Sequence, residues 1–162
     1  MKIFNAFILA HFNYCPAVWH WCGTMATHTM EKIQERGLRF VYNDFTMSYK
    51  MLLERAGKTL LYVNRIKIIA NEIYQIVNKK GPPLVHGLVT TKECNLRDDI
   101  RAIQPKVRTI RYGLQSLHYE GAKIWNNMPI DIKRSTSYAH FKHLIKLWSG
   151  PSCKCGACIL CF

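Results

Sequence analysis

The stretch Thr59–Lys80, TLLYVNRIKIIANEIYQIVNKK, decides the fold class of this chain. Val63, Ile66, Ala70, Ile73 and Val77 recur at the spacing that lines one face of an α-helix. Lys79 and Lys80 put positive charge at the negative end of the helix dipole, and Gly81-Pro82-Pro83 cannot continue the helix. The spacing therefore predicts a helix over 59–80, and the segments around it repeat the pattern.

Upstream, Ser48 is suited to cap a short helix through Ala56, with Gly57 just past its end. Before that, Met30, Ile33, Gly37, Phe40 and Val41 form an apolar stripe. The helix that carries it is expected to start after Thr27 or Thr29 and to run to about Tyr42. Glu35 and Arg39 make an i,i+4 pair on it, and Asn43-Asp44 is its exit turn. Tyr14 to Gly23, dense in aromatics and broken by Pro16, reads as an irregular connection with Trp19 and Trp21 in the core. The run Ile3 to Ala10 reads as a core helix with Ile3, Phe4, Phe7, Ile8 and His11 on one face. It begins almost at Met1 with no capping residue before it, which is the expectation for a piece of a longer chain.

Downstream, the helical period disappears between Leu84 and Gly113, where extended segments or a loose hairpin are expected. Ser116 can cap a helix through Asn126 that Pro129 stops. Ser137 can cap a last helix with Phe141, Leu144, Ile145 and Trp148 as its buried stripe. The expected fold is mainly α: one small helical domain over 1–150, with about five or six helices and a short extended, β-like middle section. A Cys-rich tail over 151–162 follows it.

A chain of 162 residues, 49% hydrophobic, can bury on the order of two-thirds of its unfolded surface, so disorder is excluded. Its 23 Lys and Arg against 10 Asp and Glu leave a net charge of +13, which points to an anionic partner. Nine basic residues between Arg101 and Lys146 face only Glu120 and Asp131. Tyr112, Tyr119 and Trp125 interleave with them, which favours RNA or single-stranded DNA over a membrane surface; a merely solubilising face is the alternative. No run approaches the ~18 apolar residues of a membrane span, and no small-residue cleavage site follows the first apolar run.

Catalytic patterns are sparse. Asp98-Asp99 is the one adjacent acidic pair, but Leu96-Arg97 precedes it and no third carboxylate in strand context accompanies it, so it reads as a solvated turn and not a two-metal site. His140 and His143 are spaced like ligands, yet Phe141 and Leu144 define the buried side of that helix, which makes them a surface pair. Cys153, Cys155, Cys158 and Cys161 lie in the last ten residues. Four thiols so spaced, beside Lys154, could hold zinc or another soft metal, although structural zinc sites usually separate their ligand pairs by about a dozen residues. A frayed terminus without metal is the alternative, as are disulfides. Isolated Cys15, Cys22 and Cys94 in apolar contexts favour a reducing compartment, cytoplasmic or nuclear.

Five segments carry a resemblance: Phe12-Asn13-Tyr14-Cys15-Pro16-Ala17-Val18-Trp19, the run from Met30 to Tyr42, Lys106-Val107-Arg108-Thr109, Arg111-Tyr112-Gly113, and Gly121-Ala122-Lys123-Ile124-Trp125-Asn126-Asn127-Met128-Pro129. Together they resemble the region just after the polymerase core in reverse transcriptases of jockey-like non-LTR retrotransposons. The resemblance implies a thumb and post-polymerase region that grips template and primer, with the catalytic carboxylates ahead of residue 1 and no catalysis by this chain alone. Relatives of that kind often end in a similar Cys-rich tail. Candidates for phosphate contact are Arg101, Lys106, Arg108, Arg111 and Lys123, with Tyr112 and Trp125 as stacking partners. A degenerate element with no selected activity and a helical protein-interaction module are the competing readings.

Overall fold

The structure, a computed structural model, describes residues 1–94 and 99–150. From the N-terminus, a π-helical turn over Phe4–Leu9 leads into α1 (Ala10–Asn13), then α2 (Pro16–Trp19), α3 (Thr24–Tyr42), α4 (Tyr49–Ala56) and α5 (Leu61–Val77). A 3-10 turn at Pro83–Val85 precedes strands β1 (Thr91–Cys94) and β2 (Asp99–Ala102). A second π turn at Ile110–Leu114 leads to α6 (Leu117–Asn127), α7 (Ile130–Lys133) and α8 (Tyr138–Leu147). The chain is mainly α, as the periodicity predicts, and the extended middle section is an antiparallel hairpin.

Three serines start three of the helices. The Ser48, Ser116 and Ser137 side chains accept from the N–H of Met51 at 3.4 Å, Tyr119 at 3.3 Å and His140 at 3.1 Å, satisfying donors that the first helical turn leaves open. Gly57 adopts the left-handed conformation past α4, and Asn43 does the same past α3. Asp44 Oδ1 then accepts from the N–H groups of Thr46 and Met47, which close the exit turn and hold its carboxyl below the usual range. The expected Glu35–Arg39 ion pair is present at 2.7 Å.

The described residues form two compact units, Met1–Arg65 and the part from Ile66 onward, with the division falling inside α5. In the first unit Phe4, Leu38, Leu52 and Leu53 form the core, with Ile8, Leu9, Tyr42 and Met47 packed against it. A Cβ on Gly37 would lie 2.5 Å from the Phe4 ring, so only glycine allows this approach. Three expectations need correction here. Of the first helix's proposed face only Phe4 is buried; Ile3, Phe7 and His11 are exposed. The irregular Tyr14–Gly23 connection contains the turn α2, started by Pro16 at its first position.

The third correction concerns α3, which begins at Thr24 and is rotated from the predicted stripe. Ile33, Phe40 and Val41 are exposed, while Glu31, Gln34 and Leu38 are buried. The polar pair is buried because it is partnered. Glu31 accepts from the Tyr49 hydroxyl at 2.7 Å through one oxygen and from the Tyr62 N–H at 2.8 Å through the other. The second bond makes Glu31 a remote cap for the start of α5, placing a carboxylate at the positive end of that helix. Gln34 accepts from the same tyrosine and donates to the Thr59 carbonyl. Burial, with the Glu31 charge second, holds the Tyr49 hydroxyl protonated far above its ordinary range.

His20 is also buried in this unit, edge-on to Trp21 with ring centroids 4.7 Å apart and 5.2 Å from the Tyr62 ring. Burial first, and the Arg65 charge second, pull its imidazole down to about 3. The unfolded chain takes up a proton near pH 6.5 that the folded one refuses, so this contribution to stability is complete above that value and is lost on acidification toward about 3. The loss amounts to about 1.4 kcal/mol per pH unit. Chemical denaturation between about pH 6.5 and pH 5 is expected to show a shallower pH slope in His20→Gln than in the native chain; equal slopes would contradict it.

In the second unit the face of α5 is broader than the predicted stripe, because Ile69, Tyr74 and Ile76 are buried along with Ile66, Ala70 and Ile73. Tyr74 stacks on Phe141 of α8 at 4.0 Å and donates to the Ser135 carbonyl. Phe141 and Ile145 are buried and Leu144 and Trp148 half-buried, which matches the stripe read for α8. α5 ends at Val77 instead of Lys80, with Lys79 left-handed.

Candidate nucleic-acid interface

The surface is built on the hairpin. In the register of β1 and β2, Lys92 stands opposite Arg101 and Thr91 opposite Ala102. Ala102 is buried and Arg101 exposed, so the alternation of a strand turns Arg101 and its cross-strand neighbour Lys92 away from the core. Like charges directly opposite on a hairpin disfavour it by themselves. The strand is held instead from behind by α6. Asn126 accepts from the Ala102 N–H at 2.8 Å and donates to the Ala102 carbonyl at 3.0 Å, and the Trp125 indole donates to the Ile100 carbonyl at 3.0 Å.

Beyond β2 the chain forms no regular element from Ile103 to Thr109, where Thr109 is extended, and then tightens into the π turn. Val107 is half-buried and its Cβ would lie 2.7 Å from a Cβ on Gly113, so the chain folds closely back on a glycine. With Val107 turned inward, Lys106 and Arg108 on either side of it are exposed. Tyr112 is 84% exposed, enough to offer a ring face for stacking. Residues 100–119 contain Arg101, Lys106, Arg108 and Arg111 and no Asp or Glu. Arg111 has its backbone in the π turn, and its side chain lies outside what is described.

Two candidates change standing. Trp125 is 1% exposed, and its indole is spent on the Ile100 carbonyl, so it offers no face to a base; it is a core residue that fixes the hairpin. Lys123 is exposed but bonded to Glu120 at 2.9 Å, one turn away on α6, which offsets its charge. Lys133, counted with the basic excess from its sequence position, is buried. Lys92 was not singled out by sequence, because only the register brings it to Arg101.

His140 and His143 are both exposed on α8. Asp98 and the tail cysteines Cys153, Cys155, Cys158 and Cys161 lie outside the described residues. Among the described residues no three His, Cys, Asp or Glu side chains group as metal ligands, and no helix is long and apolar enough to cross a membrane. Comparison with protein families, with curated proteins and with solved structures gives no match.

Proposed function

We propose that residues 100–119 and the hairpin behind them are a binding surface for RNA or single-stranded DNA with little sequence preference. The observation that carries this reading is an acid-free basic segment whose Lys106, Arg108 and Tyr112 are exposed and whose start, at Ile100 and Ala102, is bonded to α6. A strand anchored at Ile100 and Ala102 keeps Arg101 beside the basic run that follows, so the charges present one surface to phosphates. An exposed aromatic among them adds stacking that any base satisfies. The resemblance to retrotransposon reverse transcriptases supplies the context: a thumb-like part that grips template and primer, with nucleotide transfer carried out by carboxylates of the polymerase core.

A titration of labelled single-stranded RNA at several salt concentrations tests the reading. The logarithm of affinity should fall with the logarithm of salt with a slope of roughly −2 to −4, about 0.7 for each phosphate neutralised. Lys106→Ala with Arg108→Ala should lower that slope by about 1.4 and weaken binding roughly tenfold at low salt. Absence of binding at low salt, or an unchanged slope in the double variant, would refute the assignment. Given a primed template, nucleotides and magnesium, the same protein is expected to extend no primer.

A further inference from the structure

Because α3 turns Glu31, Gln34 and Leu38 to the interior of its unit, it leaves Ile33, Phe40 and Val41 of its apolar stripe exposed, Phe40 at 80%. The N-terminal turn meets that stripe at Gly37, where the Phe4 ring and Ile8 close on the helix backbone. Between the two elements lies a groove of about 900 Å³, lined by Ile3, Phe4, Ile8, Phe40 and Val41, with Lys2 as its charged side chain. Ile3 is 75% exposed, and Phe45 extends the patch edge-on to Phe40 with ring centroids 6.1 Å apart. An apolar surface this continuous marks a contact site. The charges beside it are of one sign. Arg36 is exposed and lies three residues past Ile33 and four before Phe40, so it flanks the stripe, and exposed Lys32 stands one turn before it. Residues 1–30 contain no Asp or Glu. The acids that follow are taken up: Glu31 by Tyr49 and the Tyr62 N–H, Glu35 by Arg39, and Asp44 by its own turn.

We propose that this groove binds an amphipathic helix of another protein, one with large apolar side chains along one face and carboxylates flanking them. The apolar side chains, three or four residues apart, enter between Ile3 and Phe40, and the carboxylates pair with Lys2 and Arg36. Charge selects this occupant over a second copy of the chain. A two-fold contact sets like surface on like surface, so the cations of one groove would face those of the other with no free carboxylate between them. Shape selects it over a lipid surface, because a groove between two elements takes up a ridge of side chains and a bilayer offers none. The groove lies wholly within the first unit and is independent of the basic segment of residues 100–119.

The probe is a labelled peptide helix of about five turns, with leucines along one face and glutamates beside them. Fluorescence anisotropy follows its titration with the full chain at physiological salt. A scrambled peptide of identical charge, its leucines spread round the helix, controls for attraction to a chain of net charge +13. The amphipathic peptide should bind roughly tenfold more tightly than the scrambled one, and Ile3→Ala with Phe40→Ala should remove that advantage. Arg36→Glu should weaken binding of the acidic peptide and strengthen that of a version flanked by lysines. All three side chains are exposed, and circular dichroism checks that the variants keep the native helix content. If the amphipathic peptide binds no better than the scrambled one, or keeps its advantage in the double variant, the proposal fails. It fails equally if sedimentation shows a dimer that the double variant dissolves, or if vesicles of anionic phospholipid take up the chain through Ile3 and Phe40 more tightly than the peptide does.

Discussion

Glu31→Ala is expected to lower stability by about 3–5 kcal/mol, the cost of stranding buried polar partners and leaving a buried charge uncompensated. The substitution opens the Tyr49 hydroxyl and the Tyr62 N–H at the start of α5 and removes the negative charge that Arg65 feels. Against the roughly 5–15 kcal/mol that holds a small domain together, this is a large share. Urea titration followed by circular dichroism measures it. Glu31→Gln keeps an oxygen that can accept from Tyr62, so it should lose distinctly less; equal losses would mean that the carboxylate acts through its charge alone. A loss below about 1 kcal/mol in the alanine variant would contradict the capping role.

Trp125→Ala should cost a similar amount, about 3–5 kcal/mol, because the largest fully buried side chain of the second unit leaves a cavity behind. The indole bond to the Ile100 carbonyl goes with it, so the hairpin carrying Lys92 and Arg101 loses one of its anchors on α6. Amide hydrogen exchange should show faster exchange in β2 than in α8. A near-native stability in this variant would return Trp125 to the surface as a stacking residue. Nucleic-acid affinity is then expected to follow the folded fraction, since the ring itself contacts no base.

Much of the architecture was legible from residues close together in the chain. Ser48, Ser116 and Ser137 announced helix starts because a cap bonds its own first turn. Lys106 and Arg108 were readable as surface charges because basic residues outnumber acidic ones nine to two between Arg101 and Lys146, and both are exposed. The rotation of α3 was not legible. Ile33 and Phe40 make as good a stripe as Gln34 and Leu38 until Tyr49 and the Tyr62 N–H come up to bond a buried carboxylate.

What the sequence determined by itself is therefore local: helix content, serine caps, a hairpin-forming middle and an acid-free basic run. Each depends on periodicity, charge or a hydrogen bond within a few residues. Tertiary structure alone decided which polar groups are buried and which aromatics are spent. Glu31 finds its partners 18 and 31 residues away, Trp125 bonds a carbonyl 25 residues back, and Arg65 is closed in among Trp19, Tyr62 and Met30. Burial of a polar group costs least where a partner arrives to bond it, as for Glu31, and that partner's arrival is a property of the packed chain, not of the neighbouring residues.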